Sequence, residues 1–213
     1  MAEKKHPDTL LILAVPTAKL ALTKEMGDER VFARLDGEAC IEQLAAAGTW
    51  FGPRPTLEED ESFRQIIPYA ILRCGDNYLA YTRGGSGGEA RLHGSISMGF
   101  GGHVDLPDMK LDGHGFFDLG ATLAHSVDRE LEEEIPGIKI KGNSWIGLLA
   151  DNTNNVGRVH VGLIGIWDIE EIPTAAGEEA IADLITLSPE EVVAARDRLE
   201  GWSQILADNL DTL

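Results

Sequence analysis

Apolar residues recur along the chain with two periods, and each period predicts a set of elements. Residues 9–15 form a short apolar run closed by Pro16, which predicts a strand. Over residues 38–47, Ala39, Ile41, Leu44 and Ala45 recur at helical spacing and Gly48 follows as a stop, so a helix is expected there. Residues 50–55 contain Pro53 and Pro55 and are expected to be a loop, because two prolines exclude regular structure. Residues 19–30 follow neither period. Glu58, Glu59, Asp60 and Glu61 then precede Phe63 and Arg64. This shift places a junction between an N-terminal α/β extension, 1–65, and a main domain, 66–213.

Beyond Pro68 the pattern becomes strand-like. Tyr69 to Arg73 and Tyr78 to Arg83 flank Gly75-Asp76-Asn77, which reads as a β-hairpin. A glycine-rich patch, 84–88, follows, and residues 95–100 alternate as a strand that runs into Gly101-Gly102. Residues 106–120 are rich in Gly, Asp and Pro. A loop of that length in a compact domain is functional or disordered. From about Ala121 to Glu134 the period is helical, and Pro136-Gly137 stops it. Strands are expected over 144–149 and 158–167, with a polar turn at 151–155 between them, and a strand-like or irregular segment over 181–187. Ser188, Pro189 and Glu191 form a capping box that opens one last helix, with Val192, Leu199, Trp202, Ile205 and Leu206 as its core stripe.

Composition narrows the possibilities. The chain has 213 residues, enough for one good core with an extension. Its 18 basic and 36 acidic residues give a net charge of -18. This disfavours a long nucleic acid as partner, because that affinity depends on Lys and Arg neutralising phosphates. It leaves room for a small phosphorylated substrate, since a carboxylate-bound divalent cation inverts the local charge. No apolar run is long enough to span a membrane and no signal peptide is legible, so a cytoplasmic protein is expected. Cys40 and Cys74 make no disulfide framework and are expected to be reduced.

The candidate chemistry lies in Gly101-Gly102-His103-Val104-Asp105 and, after the interruption, Arg129-Glu130-Leu131-Glu132-Glu133-Glu134. On a helical wheel Leu119, Leu123, Val127 and Leu131 share the core stripe. Glu130 and Glu134 fall beside that stripe, with Glu133 next to them. Ionised carboxylates grouped against a core are costly unless a cation sits among them, and a hard divalent ion with oxygen ligands meets that need.

These two motifs, with the hairpin and strand before them, resemble the box of the Nudix hydrolase superfamily. The family pattern is a glycine, five residues, a glutamate, seven residues, then R-E-U-x-E-E-x-G-U, where U is aliphatic. Here the spacing from Gly102 to Arg129 is about twice the family's, the first glutamate falls on Ala121, and one extra residue precedes the final glycine. Asp105, Asp108, Asp112 and Asp118 lie in the insertion. Any of them is a candidate to replace the missing glutamate, and Asp118 is nearest in sequence to Ala121.

The resemblance implies an α/β/α sandwich with a mixed β-sheet, in addition to the N-terminal extension. It assigns Glu130, Glu133 and Glu134 as ligands of Mg²⁺ or Mn²⁺ and gives the Gly102 carbonyl a place in the metal shell. Arg129 takes an orienting role. The general base is drawn from Glu133, Glu178 and Glu179. Arg83, His103 and Arg158 are candidate substrate contacts. The leading expectation is a metal-dependent hydrolase of a nucleoside diphosphate linked to another moiety, or of a similar phosphoanhydride. The second is a catalytically inactive module that keeps the fold and binds a nucleotide-like ligand. The third is an interaction protein whose extension builds a homodimer interface.

Overall fold

A computed structural model describes residues 10–22, 29–84, 94–177 and 181–213. The strands are β1 (Leu11–Pro16), β2 (Arg30–Arg34), β3 (Trp50–Pro53), β4 (Phe63–Cys74), β5 (Asn77–Arg83), β6 (Ile96–Ser97), β7 (Gly99–Phe100), β8 (Ile140–Asp151), β9 (His160–Ile169) and β10 (Ile181–Leu187). The helices are α1 (Gly37–Ala47), α2 (Arg54–Leu57), α3 (Leu119–Glu134), α4 (Asn155–Arg158), α5 (Pro189–Ala194) and α6 (Gly201–Ala207).

Among the described residues ten strands join one sheet, in the order β10-β5-β4-β9-β8-β2, with β1 and β7 also on β4, β3 on β1 and β6 on β5. The β4–β9 pair is parallel and the other pairs are antiparallel, so the sheet is mixed. Alternation along β4 divides its side chains between two faces. Ala70 and Leu72 pack with Val127 and Leu131 of α3. Tyr69 and Ile71 pack with Val192, Ile205 and Leu206 of α5 and α6. Cys40 and Leu44 of α1 share the α3 face with Leu13, Leu119, Leu123 and Leu163. Helices on both faces make the expected α/β/α sandwich. Leu123 is fully buried, and truncating such a side chain to alanine costs about 2–5 kcal/mol, a large part of a domain's stability.

The N-terminal residues are built into this sheet. Leu13 and Val15 of β1 pack with Leu148 and Leu163, and β2 pairs with β8. The expected junction at residue 65 falls inside β4. Residues 50–55 are not a loop. Trp50–Pro53 pairs with β1, and Pro53 closes the strand at a sheet edge, where a ladder N–H is dispensable. Pro55 then sits in the first turn of α2, where its missing N–H costs nothing. The final helix is also two helices. Its capping box forms, with Ser188 Oγ accepting from Glu191 N–H and the Glu191 carboxylate accepting from Ser188 N–H. Leu199 is extended, and the Glu200 side chain caps a new helix by accepting from Trp202 and Ser203 N–H. Among the described residues no helix is long and apolar enough to cross a membrane.

Candidate active site at the glycine turn

Asp118 starts α3 by accepting a hydrogen bond from Ala121 N–H, and Pro136 and Gly137 follow its end. Leu119, Leu123, Val127 and Leu131 are buried, and this orients the carboxylates. Glu134 is 9 % exposed and the Glu130 side chain 18 %, whereas the Glu133 side chain is 50 % exposed. Glu130 and Glu134 therefore flank the core, and Glu133 stands further out.

The turn after β7 is fitted against these two residues. Gly101 has φ +138°, a conformation that L side chains rarely adopt, and a methyl group there would sit 2.2 Å from the Pro68 carbonyl oxygen. Its N–H donates to Glu134 Oε2 at 3.1 Å. A methyl group on Gly102 would sit 2.6 Å from Glu130 Oε1.

Arg129 joins the turn to the helix. Its Nη1 donates to Glu130 Oε1 at 2.8 Å and lies 3.6 Å from Glu133 Oε2. Its Nη2 donates to the His103 carbonyl at 3.0 Å, and its Nε and Nη2 reach the two oxygens of Asp108 at 2.9 Å each. Hydrogen bonding to Asp108 is the largest of the influences that hold the guanidinium charged.

Of the other insertion aspartates, Asp118 is the helix cap, and Asp112 accepts from His114 and Phe116 N–H. Asp105 accepts from the Asp108 backbone within a reciprocal capping box. The insertion is thus ordered by its own hydrogen bonds. Ala121 is exposed on the first turn of α3.

These residues match a hard divalent cation in the kind of donor they offer. The donors are carboxylate and carbonyl oxygens, and the absence of a Cβ at Gly102 lets the backbone approach Glu130. They are not closed on one point: among the described residues no three His, Cys, Asp or Glu side chains gather in ligand geometry.

A cavity of about 450 Å³ adjoins the glycine pair, with Arg83, His103, Arg54, Glu200 and Trp202 in its walls. Arg83 Nε is buried with no hydrogen-bond partner among the described residues, and its guanidinium carbon lies 5.9 Å from the Tyr81 ring centre. His103 Nε2 is 2.8 Å from Gln65 Oε1. Gln65 Nε2 donates to the Leu57 carbonyl, so the amide oxygen faces His103 and Nε2 of the imidazole carries the proton. Burial first, then the charges of Arg54, His160 and Arg129, push the His103 pKa down to about 3. Glu200 is committed to the framework. Its Oε1 accepts from the Tyr69 hydroxyl at 2.7 Å and from Ser203 Oγ at 2.9 Å.

Arg158 is not among the residues lining this cavity. It lies 3.1 Å from Glu61 and donates to the Asn152 carbonyl and to Asn155 Oδ1. Glu178 and Glu179 lie outside the described residues. Gly177, just before them, donates to the Glu134 carbonyl at 2.8 Å. Sequence reasoning missed Gln65, Tyr69 and Glu200, because their partners come from distant strands and helices. The one available signal was Glu200-Gly201, a helix start inside what reads as a continuous apolar stripe.

No family model matches the chain. Protein YmaB of Bacillus subtilis (strain 168) is 32% identical over 163 residues, which cover 74% of this chain and 76% of the relative. The solved structure of Tm1382, provisionally described as a Nudix hydrolase, superposes with a TM-score of 0.75 and 28% identity over 94% of this chain and 97% of its own. The MutT protein from Methanosarcina mazei Go1 matches at 16% identity and a TM-score of 0.43, over 70% of this chain and 93% of its own.

Proposed function

We propose that this chain, which belongs to the Nudix hydrolase superfamily, is a divalent-metal-dependent hydrolase of a nucleoside diphosphate linked to another moiety, or of a similar phosphoanhydride. The observation that carries this reading is the glycine pair itself. Gly101 and Gly102 touch Glu134 and Glu130 on one side and wall the cavity on the other. Carboxylates that hold a cation and a space that holds a substrate meet at the same two residues.

Glu130 and Glu134, completed by Glu133 and the Gly102 carbonyl, would hold Mg²⁺ or Mn²⁺. When bound, such an ion would supply Lewis-acid charge neutralisation for phosphoanhydride hydrolysis. Arg129 keeps Glu130 oriented through their 2.8 Å contact. Arg83, in the cavity wall, supplies positive charge for substrate phosphate, the pairing at which guanidinium is strongest. His103, neutral and donating to Gln65, helps to shape the wall between the turn and the cavity. The general base is assigned to Glu178 or Glu179, slightly ahead of Glu133. Arg158, engaged by Glu61 and Asn155, has a smaller claim on substrate than Arg83.

The reading is tested by assaying phosphate or monophosphate release on a panel of nucleoside diphosphate conjugates, with Mg²⁺, with Mn²⁺ and with chelator. Glu133→Gln and Glu134→Gln should abolish turnover. Full turnover in chelator, or in Glu134→Gln, would overturn it. No turnover with ligand binding retained would instead identify an inactive nucleotide-binding module.

A further inference from the structure

We propose that Asp108, a residue of the insertion, is a positioning residue for Glu130 that acts through Arg129 and keeps the Glu130 carboxylate available to the cation. This inference rests on the metal-dependent reading above.

Four features carry it. Asp108 is 2 % exposed, so its charge is stabilised by the groups around it rather than by water. Arg129 Nε and Nη2 meet its two oxygens at 2.9 Å each, a bidentate fork, and Asp105 N–H donates to Oδ2 at 2.9 Å. The same guanidinium donates through Nη2 to the His103 carbonyl and through Nη1 to Glu130 Oε1. A guanidinium is planar and rigid, so fixing its Nε and Nη2 edge on Asp108 and His103 also fixes where Nη1 points. Finally, the box position where the family pattern has a carboxylate is Ala121, an exposed residue that offers Arg129 no acceptor.

The charge balance gives Asp108 a second effect. With it in place, the positive charge of Arg129 is met by a buried carboxylate 21 residues earlier in the chain. Without it, the nearest anionic partners among the described residues are Glu130 and Glu133, at 2.8 and 3.6 Å. The guanidinium, which already donates to Glu130 Oε1, would then have its whole charge balanced by the carboxylates a cation needs and would compete with it more strongly. The insertion, on this view, carries part of the metal-site support and does more than reshape the substrate pocket.

The test is Mn²⁺ affinity, read from the electron paramagnetic resonance signal of free Mn²⁺, with no turnover required. Wild type is compared with Asp108→Ala, Asp108→Asn and Thr122→Val. Thr122 Oγ1 accepts from Lys110 N–H at 2.9 Å, so its substitution loosens the insertion without touching Arg129. Asp108→Ala should weaken Mn²⁺ binding by about tenfold, the lower end of the range for groups that orient a metal ligand. Asp108→Asn keeps the shape and loses the charge, and should fall in the same direction. Thr122→Val should bind as wild type. In an Arg129→Ala background, removing Asp108 should change nothing further, because the two act as one unit. Unchanged affinity in both Asp108 variants, or an equal loss in Thr122→Val, would overturn the proposal and leave Asp108 as an anchor of the insertion alone. Wild type that binds no Mn²⁺ would overturn both this inference and the metal-dependent reading beneath it.

Discussion

Gly102 and Glu130, 28 residues apart in the chain, are packed so closely that a methyl group on the glycine would sit 2.6 Å from the carboxylate oxygen. The obstacle is the end of a side chain, so Gly102→Ala should displace Glu130 rather than unfold the domain. We expect it to weaken Mn²⁺ binding by about tenfold or more with little change in thermal midpoint, measured by titration and by thermal melt. Gly101→Ala should behave differently. There φ is +138° and the obstacle is the Pro68 backbone, so stability should fall by about 1–3 kcal/mol in urea unfolding. If Gly102→Ala binds Mn²⁺ as wild type does, the turn is not part of the metal site.

Arg83 lines the cavity, and substrate phosphate is the partner assigned to its guanidinium. Arg83→Ala should raise KM or lower kcat/KM by at least about tenfold, the scale of a lost charge-assisted hydrogen bond. Mn²⁺ affinity should move much less, because Arg83 hydrogen-bonds to none of the proposed ligands and only its charge is felt at Glu134. Steady-state kinetics beside a metal titration separates the two effects. A change confined to metal affinity would contradict the assignment.

His103 links pH to stability in the metal-free protein. Its pKa is about 3 when folded, against 6.5 as its ordinary value, because burial first, then repulsion from Arg54, His160 and Arg129, opposes its protonation. The unfolded chain therefore takes up a proton that the folded chain refuses. The contribution of this site is complete above about pH 6.5 and is lost progressively as pH falls towards 3. In chelator, urea midpoints taken at about pH 7 and about pH 5 should drop more for wild type than for His103→Gln. Parallel drops would mean that the imidazole is protonated in the folded state.

The two thiols should differ in reactivity. Cys40 is fully buried in α1, and burial, then Asp36, pushes its pKa up to about 11, so little thiolate forms. Cys74 is partly exposed at the end of β4. Ellman's reagent at about pH 8 should titrate Cys74 in the native protein and Cys40 only after denaturation. Rapid labelling of both thiols under native conditions would place Cys40 outside the core.

By itself the sequence determined the local elements and the chemistry they carry. Leu119, Leu123, Val127 and Leu131 repeat every four residues, and that spacing alone sets α3 and puts Glu130 and Glu134 beside its buried face. Ser188, Pro189 and Glu191 set a helix start, because capping is decided within one turn. Tertiary structure decided what depends on partners far away in the chain. Pro53 is in a strand because β1 offers it an edge. The last apolar stripe breaks because Glu200, held by the Tyr69 hydroxyl, caps a second helix. The acid nearest Ala121, Asp118, is only the cap of α3, while Asp108 is the one that reaches Arg129. Sequence distance could not rank those two aspartates, because the insertion folds back across α3 and a guanidinium bonds to whatever lies in its plane. The glycine pair could be read as a turn from sequence. That each glycine is shaped to a particular glutamate follows only from the packing of the turn after β7 against α3.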